Sequence, residues 1–461
     1  MDSTLACLAA WMPRQRWYAA KGRPPSLRLI AWWDLPTDPG ATVRTFLVSD
    51  EGSLPPVLYQ LPVVARATAA VEASPDHVIG SPEPGTTFID GPHDPAYAGA
   101  LLQLVTEGGD GRGPGTVITG TTTAPGLSGA GRRSRVLAGE QSNTSIIYES
   151  ADGAVPVICK VFRQLHAGLN PDIELQTALA NHGSPHVPRA IGSVEGTWPD
   201  TATRGTVTGS LAFAQEFLPD VDDAWRVALR AAAAGEDFTV RARDLGAATA
   251  DVHLDLAELF PTVPSGPDVR DAMSATWLRR LAIAEAEVPA IAERREAIEA
   301  VYERALDAAW PPLQRIHGDY HLGQVLGSPE HGWMLLDFEG EPLRPMAERR
   351  SPDLALRDVA GMLRSFDYVA GSIRLDQPDR SPEGMLAWAR AARQAFLDGY
   401  AQVADVDLAL ERTLLAALEL DKAVYEAIYE ARNRPTWVAI PLRAIGRLVG
   451  QPSTTSLRTT A

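Results

Sequence analysis

Basic residues are in deficit. Lys and Arg number 42 against 58 Asp and Glu, a formal net charge of −16, which argues against sequence-independent binding to nucleic acid or to an acidic membrane surface. Cysteine is scarcer still. Cys7 and Cys159 are the only two, far apart and too few for a disulfide framework or a zinc site, and Cys159 lies in an apolar run that reads as core. Long hydrophobic runs are missing as well: no stretch would cross a bilayer, and the first residues lack the basic start and apolar core of a signal peptide. The chain is therefore expected to be cytoplasmic. With 461 residues, 45% of them hydrophobic, it has ample material for a buried core and a length that suggests about two to four domains.

What is present is concentrated in residues 317–342, His-Gly-Asp-Tyr-His-Leu-Gly-Gln-Val-Leu, a loop, then Trp-Met-Leu-Leu-Asp-Phe-Glu-Gly-Glu-Pro. Apolar runs that end in acids suggest strand ends presenting carboxylates. Asp319 and Gln324 have the spacing of the Asp and Asn of a protein-kinase catalytic loop, and Asp337-Phe338 stands where a metal-binding Asp-Phe-Gly would. A phosphoryl group leaving ATP needs its charge neutralised, and Mg²⁺ held by a carboxylate and an amide oxygen does so while leaving room for the phosphates. Asp337 and Gln324 fit those roles. Asp319 fits the group that orients an attacking hydroxyl and accepts its proton late. His321 either hydrogen-bonds the substrate or ties the loop to backbone. A lone Asp would read as a helix cap or a partner of Arg344, Arg349 or Arg350; the ordered set favours chemistry.

Upstream, residues 11–23 form an aromatic and basic cluster that reads as packing for a small domain. Strands are expected over 27–33, 42–48 and 56–61, a helix over 95–106, and the end of a β-rich domain near residue 90. The Gly-rich run within 107–133 invites a phosphate-loop reading, but Pro114 removes a backbone donor and a hairpin or flexible turn fits better. A stronger candidate is the turn Gln141-Ser142-Asn143-Thr144-Ser145 before a strand at 146–149, where amides and side chains would line phosphates. Lys160 follows in the apolar strand 156–162. A lysine there is costly to bury without an anion, which ATP phosphates and Glu174, in the first turn of the next helix, would supply; the alternative is a lysine snorkelling from an edge strand.

Further strands are expected at 189–192 and 206–213, and residues 214–219, with Glu216, have the look of an interlobe hinge whose backbone meets adenine. Helices are expected from 222 onward, including 240–259, 289–310 and 354–366, with Arg357 and Asp358 bracing the catalytic loop. At helical spacing Lys422, Glu426, Tyr429 and Asn433 make one polar stripe flanked by Tyr425 and Glu430. This suits a carbohydrate-binding wall, or an ordinary solvated i,i+4 face. The tail after Ser453 is expected to be disordered.

Taken together, residues 15–18, 140–145, 160–162, 170–175, 317–326, 337–342 and 421–441 resemble the actinobacterial maltokinases, within the aminoglycoside-phosphotransferase-like kinases. The resemblance runs over essentially the whole chain. It implies an α+β, bilobal protein-kinase-like fold: a cap subdomain over 1–90, an intermediate β-rich ATP-binding subdomain over 91–216, a mostly helical catalytic and sugar-binding lobe over 217–453, and a tail at 454–461. It also implies ATP- and Mg²⁺-dependent phosphorylation of maltose to maltose 1-phosphate for α-glucan synthesis downstream of trehalose. Carried over by motif, Asp319 is the catalytic aspartate, Gln324 and Asp337 are metal ligands, Lys160 binds phosphate and the 422–434 helix is a sugar wall. A monomer is expected, with a trehalose synthase as the partner to consider. Two alternatives stay open. One is a kinase of a glucosamine-like amino sugar or an aminoglycoside, for which Glu339, Glu341, Glu426 and Glu430 would supply carboxylates. The other is a non-catalytic partner of a trehalose-converting enzyme, disfavoured because Lys160, Asp319, Gln324 and Asp337 are all present.

Overall fold

Strand Val157–Phe162 shows how alternation builds the sheet that carries Lys160. Val157, Cys159 and Val161 are buried on one face, while Ile158 and Lys160 take the other and stay half-buried, the period of two expected of a pleated strand. The computed structural model describes residues 2–450 apart from 38, 128, 130, 139–141, 151–152, 201–202, 204, 329, 342–343 and 378–380. Gln141 and the tail after Ser453 thus lie outside the described residues. The fold is α+β and divides into two units, residues 1–180 with 188–219 and residues 181–187 with 220–461. No helix among the described residues is long and apolar enough to cross a membrane.

The first unit is rich in sheet. One antiparallel sheet runs Leu27–Leu35, Thr42–Asp50, Val57–Ala67, Thr86–Asp90, Val78–Glu83, with Gln164–Leu165 added to the third of these strands. The other has seven strands in the order Gly109–Gly113, Thr116–Thr122, Ala190–Pro199, Thr206–Glu216, Val157–Phe162, Asn143–Glu149, Arg133–Val136. Helix Pro95–Glu107 starts where Asp94 accepts the Ala96 N–H at 2.9 Å, has proline at its first position, and buries Tyr97, Leu101 and Val105, the cap-then-proline order that satisfies a helix start.

The glycine-rich run is a hairpin, as its Pro114 suggested, and the glycines have a packing reason. A Cβ on Gly113 would stand 1.7 Å from the carbonyl oxygen of Trp32, so only glycine lets this edge lie against strand Leu27–Leu35. The early aromatic cluster is packing too. Trp11 and Trp17 meet edge to face at 5.5 Å, and the fully buried Arg163 lies over Trp17 while its Nη2 donates to both oxygens of Asp90 at 2.9 and 2.8 Å. A buried guanidinium of this kind needs such a partner to remain charged.

The second unit is mostly helical. A small sheet of Asp222–Asp223, Val325–Ser328 and Gly332–Leu335 accompanies helices Thr239–Leu259, Leu356–Asp376, Pro382–Ala404 and Leu408–Asn433. Helices Thr239–Leu259 and Pro382–Ala404 approach through reciprocal glycines: a Cβ on Gly246 would meet the Phe396 carbonyl oxygen at 2.0 Å, and one on Gly399 the Arg243 carbonyl oxygen at 2.0 Å. That approach brings His253 and Tyr400 into hydrogen bond at 3.0 Å. The single helix expected over 289–310 is instead Pro289–Ala292 and Arg295–Leu306. It stops because the Trp310 indole N–H donates to the Ala305 carbonyl at 2.7 Å, and the following prolines cannot extend it.

Gly399→Ala should lower the unfolding free energy by about 1–3 kcal/mol, because backbone must shift to admit the methyl group. Urea denaturation followed by circular dichroism checks this; wild-type stability would mean that the helices do not meet so closely.

Candidate active site

In the second unit the chain from His317 to His321 is an irregular loop that leads into a single 3-10 turn, Leu322–Gln324, and the expectation that Asp319 ends a strand is corrected. What fixes the loop is Asp358. Its Oδ2 accepts the His317 N–H at 2.8 Å and lies 3.2 Å from His253 Nε2, and its Oδ1 accepts the Gly318 N–H at 2.9 Å. Burial opposes ionisation of Asp358, yet the His253 hydrogen bond, the nearby histidines and the Gly318 amide hold its carboxyl below the usual range. The bracing expected of Asp358 is therefore observed. Arg357 turns instead to Asp353, at 3.0 Å. His317 is fixed at both nitrogens: Nε2 bonds the Leu336 carbonyl at 2.8 Å and Nδ1 accepts the Asp319 N–H at 3.4 Å. Gly361 completes the seat, since a Cβ there would lie 2.5 Å from the Tyr320 carbonyl oxygen.

Gln324 and Asp337 are brought together. Gln324 Nε2 donates to Asp337 Oδ2 at 2.9 Å, and Asp337, just past strand Gly332–Leu335, takes a φ of +66°, a conformation few side chains adopt and a mark of functional sites. With its Nε2 on Asp337, Gln324 keeps its amide oxygen beside the Asp337 carboxylate, and both are hard oxygen donors of the kind Mg²⁺ prefers. His321 points its Nδ1 back to accept the Gly323 N–H at 3.0 Å, the backbone-tying arrangement, and burial lowers its pKa.

Helix Leu408–Asn433 divides the anticipated sugar wall. Lys422 reaches the loop, with Nζ 2.6 Å from Glu341 Oε1 and 3.5 Å from Asp319 Oδ1, and lies over the Tyr425 ring at 5.3 Å. Glu426 turns away and takes Arg364 at 2.9 and 2.7 Å; burial still raises its pKa. Glu430 accepts the Tyr368 hydroxyl at 3.0 Å and two bonds from Arg434. Tyr429 is exposed, and exposed Asn433 donates to the Tyr429 carbonyl at 2.8 Å. Thus Lys422 and Tyr425 join Asp319, whereas the single stripe expected from the sequence does not form one wall. A cavity of about 640 Å³ opens beside Glu341, Tyr425, Arg280 and Arg344, within the range of small-molecule sites.

In the first unit Lys160 donates to Asp172 Oδ2 at 2.8 Å. The sequence pointed to Glu174 as its natural partner. Asp172 holds the lysine and is itself set by Asn170, whose Oδ1 accepts the Asp172 N–H at 2.8 Å. The expected turn is also revised. Asn143, Thr144 and Ser145 belong to strand Asn143–Glu149, Ser145 pairs with Lys160 in register, and the buried Thr144 hydroxyl accepts the Arg163 Nε–H at 2.9 Å. Ser142 is exposed. Glu216 ends strand Thr206–Glu216 and donates its N–H to the Arg189 carbonyl at 2.9 Å.

With this geometry the similarities to other proteins fall into place. Residues 11–94 match the maltokinase N-terminal cap domain and residues 134–340 the phosphotransferase enzyme family. The chain thus carries a maltokinase N-terminal cap domain followed by a phosphotransferase family domain. A glucosamine kinase of Streptacidiphilus jiangxiensis is 32% identical over 287 residues, spanning 59% of this chain and 64% of that protein. A glucosamine kinase of Mycolicibacterium smegmatis is 29% identical over 381 residues, spanning 79% of this chain and 90% of that protein. Among solved structures, a glucosamine kinase in complex with glucosamine, ADP and inorganic phosphate superposes with a TM-score of 0.67 at 25% identity, covering 96% of this chain and 98% of that one.

Sequence reading missed His253 and Asp172. A signal that was there to use is the rarity of lysine. Only Lys21, Lys160 and Lys422 occur in the whole chain, and the last two are the ones paired with buried carboxylates.

Burial would raise the Glu341 carboxyl, but Lys422 and Arg357 hold it down to about 2, against an ordinary 4.5. A lowered acid stabilises fully above its unfolded value and loses that contribution as the pH falls through the folded one. Glu341→Gln should therefore cost about 3 kcal/mol at neutral pH, the equivalent of that lowering. The gap from wild type should close between pH 4.5 and about 2, as read by urea denaturation across pH. A gap independent of pH in that window would contradict the pairing.

Proposed function

We propose that the chain transfers the γ-phosphoryl group of ATP to the anomeric hydroxyl of maltose, giving maltose 1-phosphate. The supporting observation is the state of the carboxylates near the acceptor side. Glu341 is bound by Lys422, Glu426 by Arg364 and Glu430 by Arg434. To reach Glu341 or Glu426 a substrate ammonium would have to displace Lys422 or the buried Arg364, at a cost of about 3 kcal/mol or more, whereas a neutral sugar makes no such demand. The cavity of about 640 Å³ beside Glu341 and Tyr425 also has room beyond a single hexose ring, and the cap-domain family is named for maltokinases.

In this reading the sugar oxygen bonds to the γ-phosphorus as the bridging bond to ADP breaks, and the hydroxyl proton passes late to Asp319. Such transition states are loose, so positioning and charge matter more than a strong base. The loop braced by Asp358 and His317 holds Asp319, and Lys422, 3.5 Å from Asp319 Oδ1, orients the carboxylate. Lys160 is assigned to the nucleotide phosphates. Gln324 and Asp337 would hold Mg²⁺, which when bound neutralises charge on the phosphates. Formation of maltose from trehalose would supply the acceptor, which makes a trehalose synthase the partner to look for, in a cytoplasmic setting.

The second reading, an amino-sugar kinase, is favoured by the glucosamine kinase relatives. An ADP-release assay over maltose, glucose, glucosamine and kanamycin separates the two. Maltose should exceed glucosamine in kcat/KM by about 100-fold, the equivalent of about 3 kcal/mol; a preference for glucosamine would replace maltose as the acceptor.

A further inference from the structure

Against the overall charge of −16, one pocket of the second unit is strongly basic. A cavity of about 300 Å³ is lined by Arg374, Arg390, Arg393, Arg443 and Arg447, with Asp367 the one lining carboxylate among the described residues. Three helices supply the cations: Arg374 from the last turn of Leu356–Asp376, Arg390 and Arg393 from Pro382–Ala404, Arg443 and Arg447 from Ala439–Val449.

The arginines fall into two groups. Arg393 and Arg447 are anchored, each bonded to Asp367 and to the buried Glu419 at 2.6–3.3 Å. Among the described residues Arg374, Arg390 and Arg443 meet no carboxylate within salt-bridge distance, and Arg443 donates its Nε–H only to the Ala439 carbonyl. Burial and the facing Arg374 cation lower the Arg443 pKa. Like charges at i and i+4 on one helix, as at Arg443 and Arg447, and across helices, as at Arg374 and Arg443, destabilise a fold unless an anion joins them.

We propose that this pocket binds a phosphate dianion, either free or as a small sugar monoester. Guanidinium groups fixed by carboxylates behind them offer planar, paired donors matched to phosphate oxygens. The volume stands at the lower limit of ligand pockets, which favours a compact ligand over a nucleotide. Leu386 and Ile440 add apolar lining, a surface on which the carbon face of a sugar would rest. The pocket shares no lining residue with the loop that carries Asp319, so the inference stands apart from the choice of acceptor.

Isothermal titration of the full chain with α-D-glucose 1-phosphate, inorganic phosphate and glucose tests this. Wild type and Asp337→Asn should bind glucose 1-phosphate alike, and Arg374→Gln/Arg443→Gln should weaken it at least about tenfold, with glucose silent throughout. Arg390→Gln, at an exposed position, should weaken it at least about threefold and guards against a folding defect in the double variant. Phosphate binding as tightly as the ester would make free phosphate the ligand, and tighter ester binding a sugar phosphate. Equal affinity in wild type and both arginine variants, or loss only in Asp337→Asn, would overturn the proposal.

Discussion

A carboxylate buried away from water stays charged only when donors converge on it, and Asp358 has them: the amides of His317 and Gly318 and the ring of His253. The rest of the second unit's site follows from this convergence. The loop carrying Asp319 has no sheet or helix of its own to set its course, so Asp358 on helix Leu356–Asp376 does so. His253 reaches Asp358 because Tyr400 holds its other nitrogen, and Tyr400 is in reach because Gly246 and Gly399 let two helices approach backbone to backbone. Two glycines far away in sequence thus help decide where Asp319 points.

Charge compensation is the second theme. Lys422 lies between Glu341 and Asp319, and burial, which by itself would lower its pKa, is outweighed by those carboxylates, so the ammonium persists. The same logic uses up Glu426 on Arg364 and Glu430 on Arg434. Glu341, Glu426 and Glu430 are thereby each compensated by a cation, the observation on which the proposal of a neutral acceptor rests.

Much of this was legible beforehand. The α+β organisation, the strand bearing Lys160, the meeting of Gln324 with Asp337 and the brace from Asp358 follow from local pattern and motif spacing. The losses have physical causes. That Asp172 holds Lys160 depends on the rotation of one helix about its axis, which spacing alone does not set. Thr144 reads as a loop residue until the distant Arg163 is known to need an acceptor. Helix Pro267–Glu287 escapes notice because it buries only Trp277, Leu281 and Ala284, too narrow a stripe to stand out among its charges. Glu426 and Glu430 look like a ligand-facing stripe until Arg364 and Tyr368, from another helix, are seen to claim them.

The most direct measurement is turnover of Asp358→Asn under conditions where circular dichroism shows it folded. An amide cannot accept from both loop N–H groups and His253 at once, so the loop should shift. A displacement of about 1 Å at the reacting group is enough to lower kcat by about 100-fold, and that loss, with the KM for ATP changed by less than about threefold, is the predicted result. Wild-type kcat in the folded variant would contradict the claim that Asp358 sets the position of Asp319.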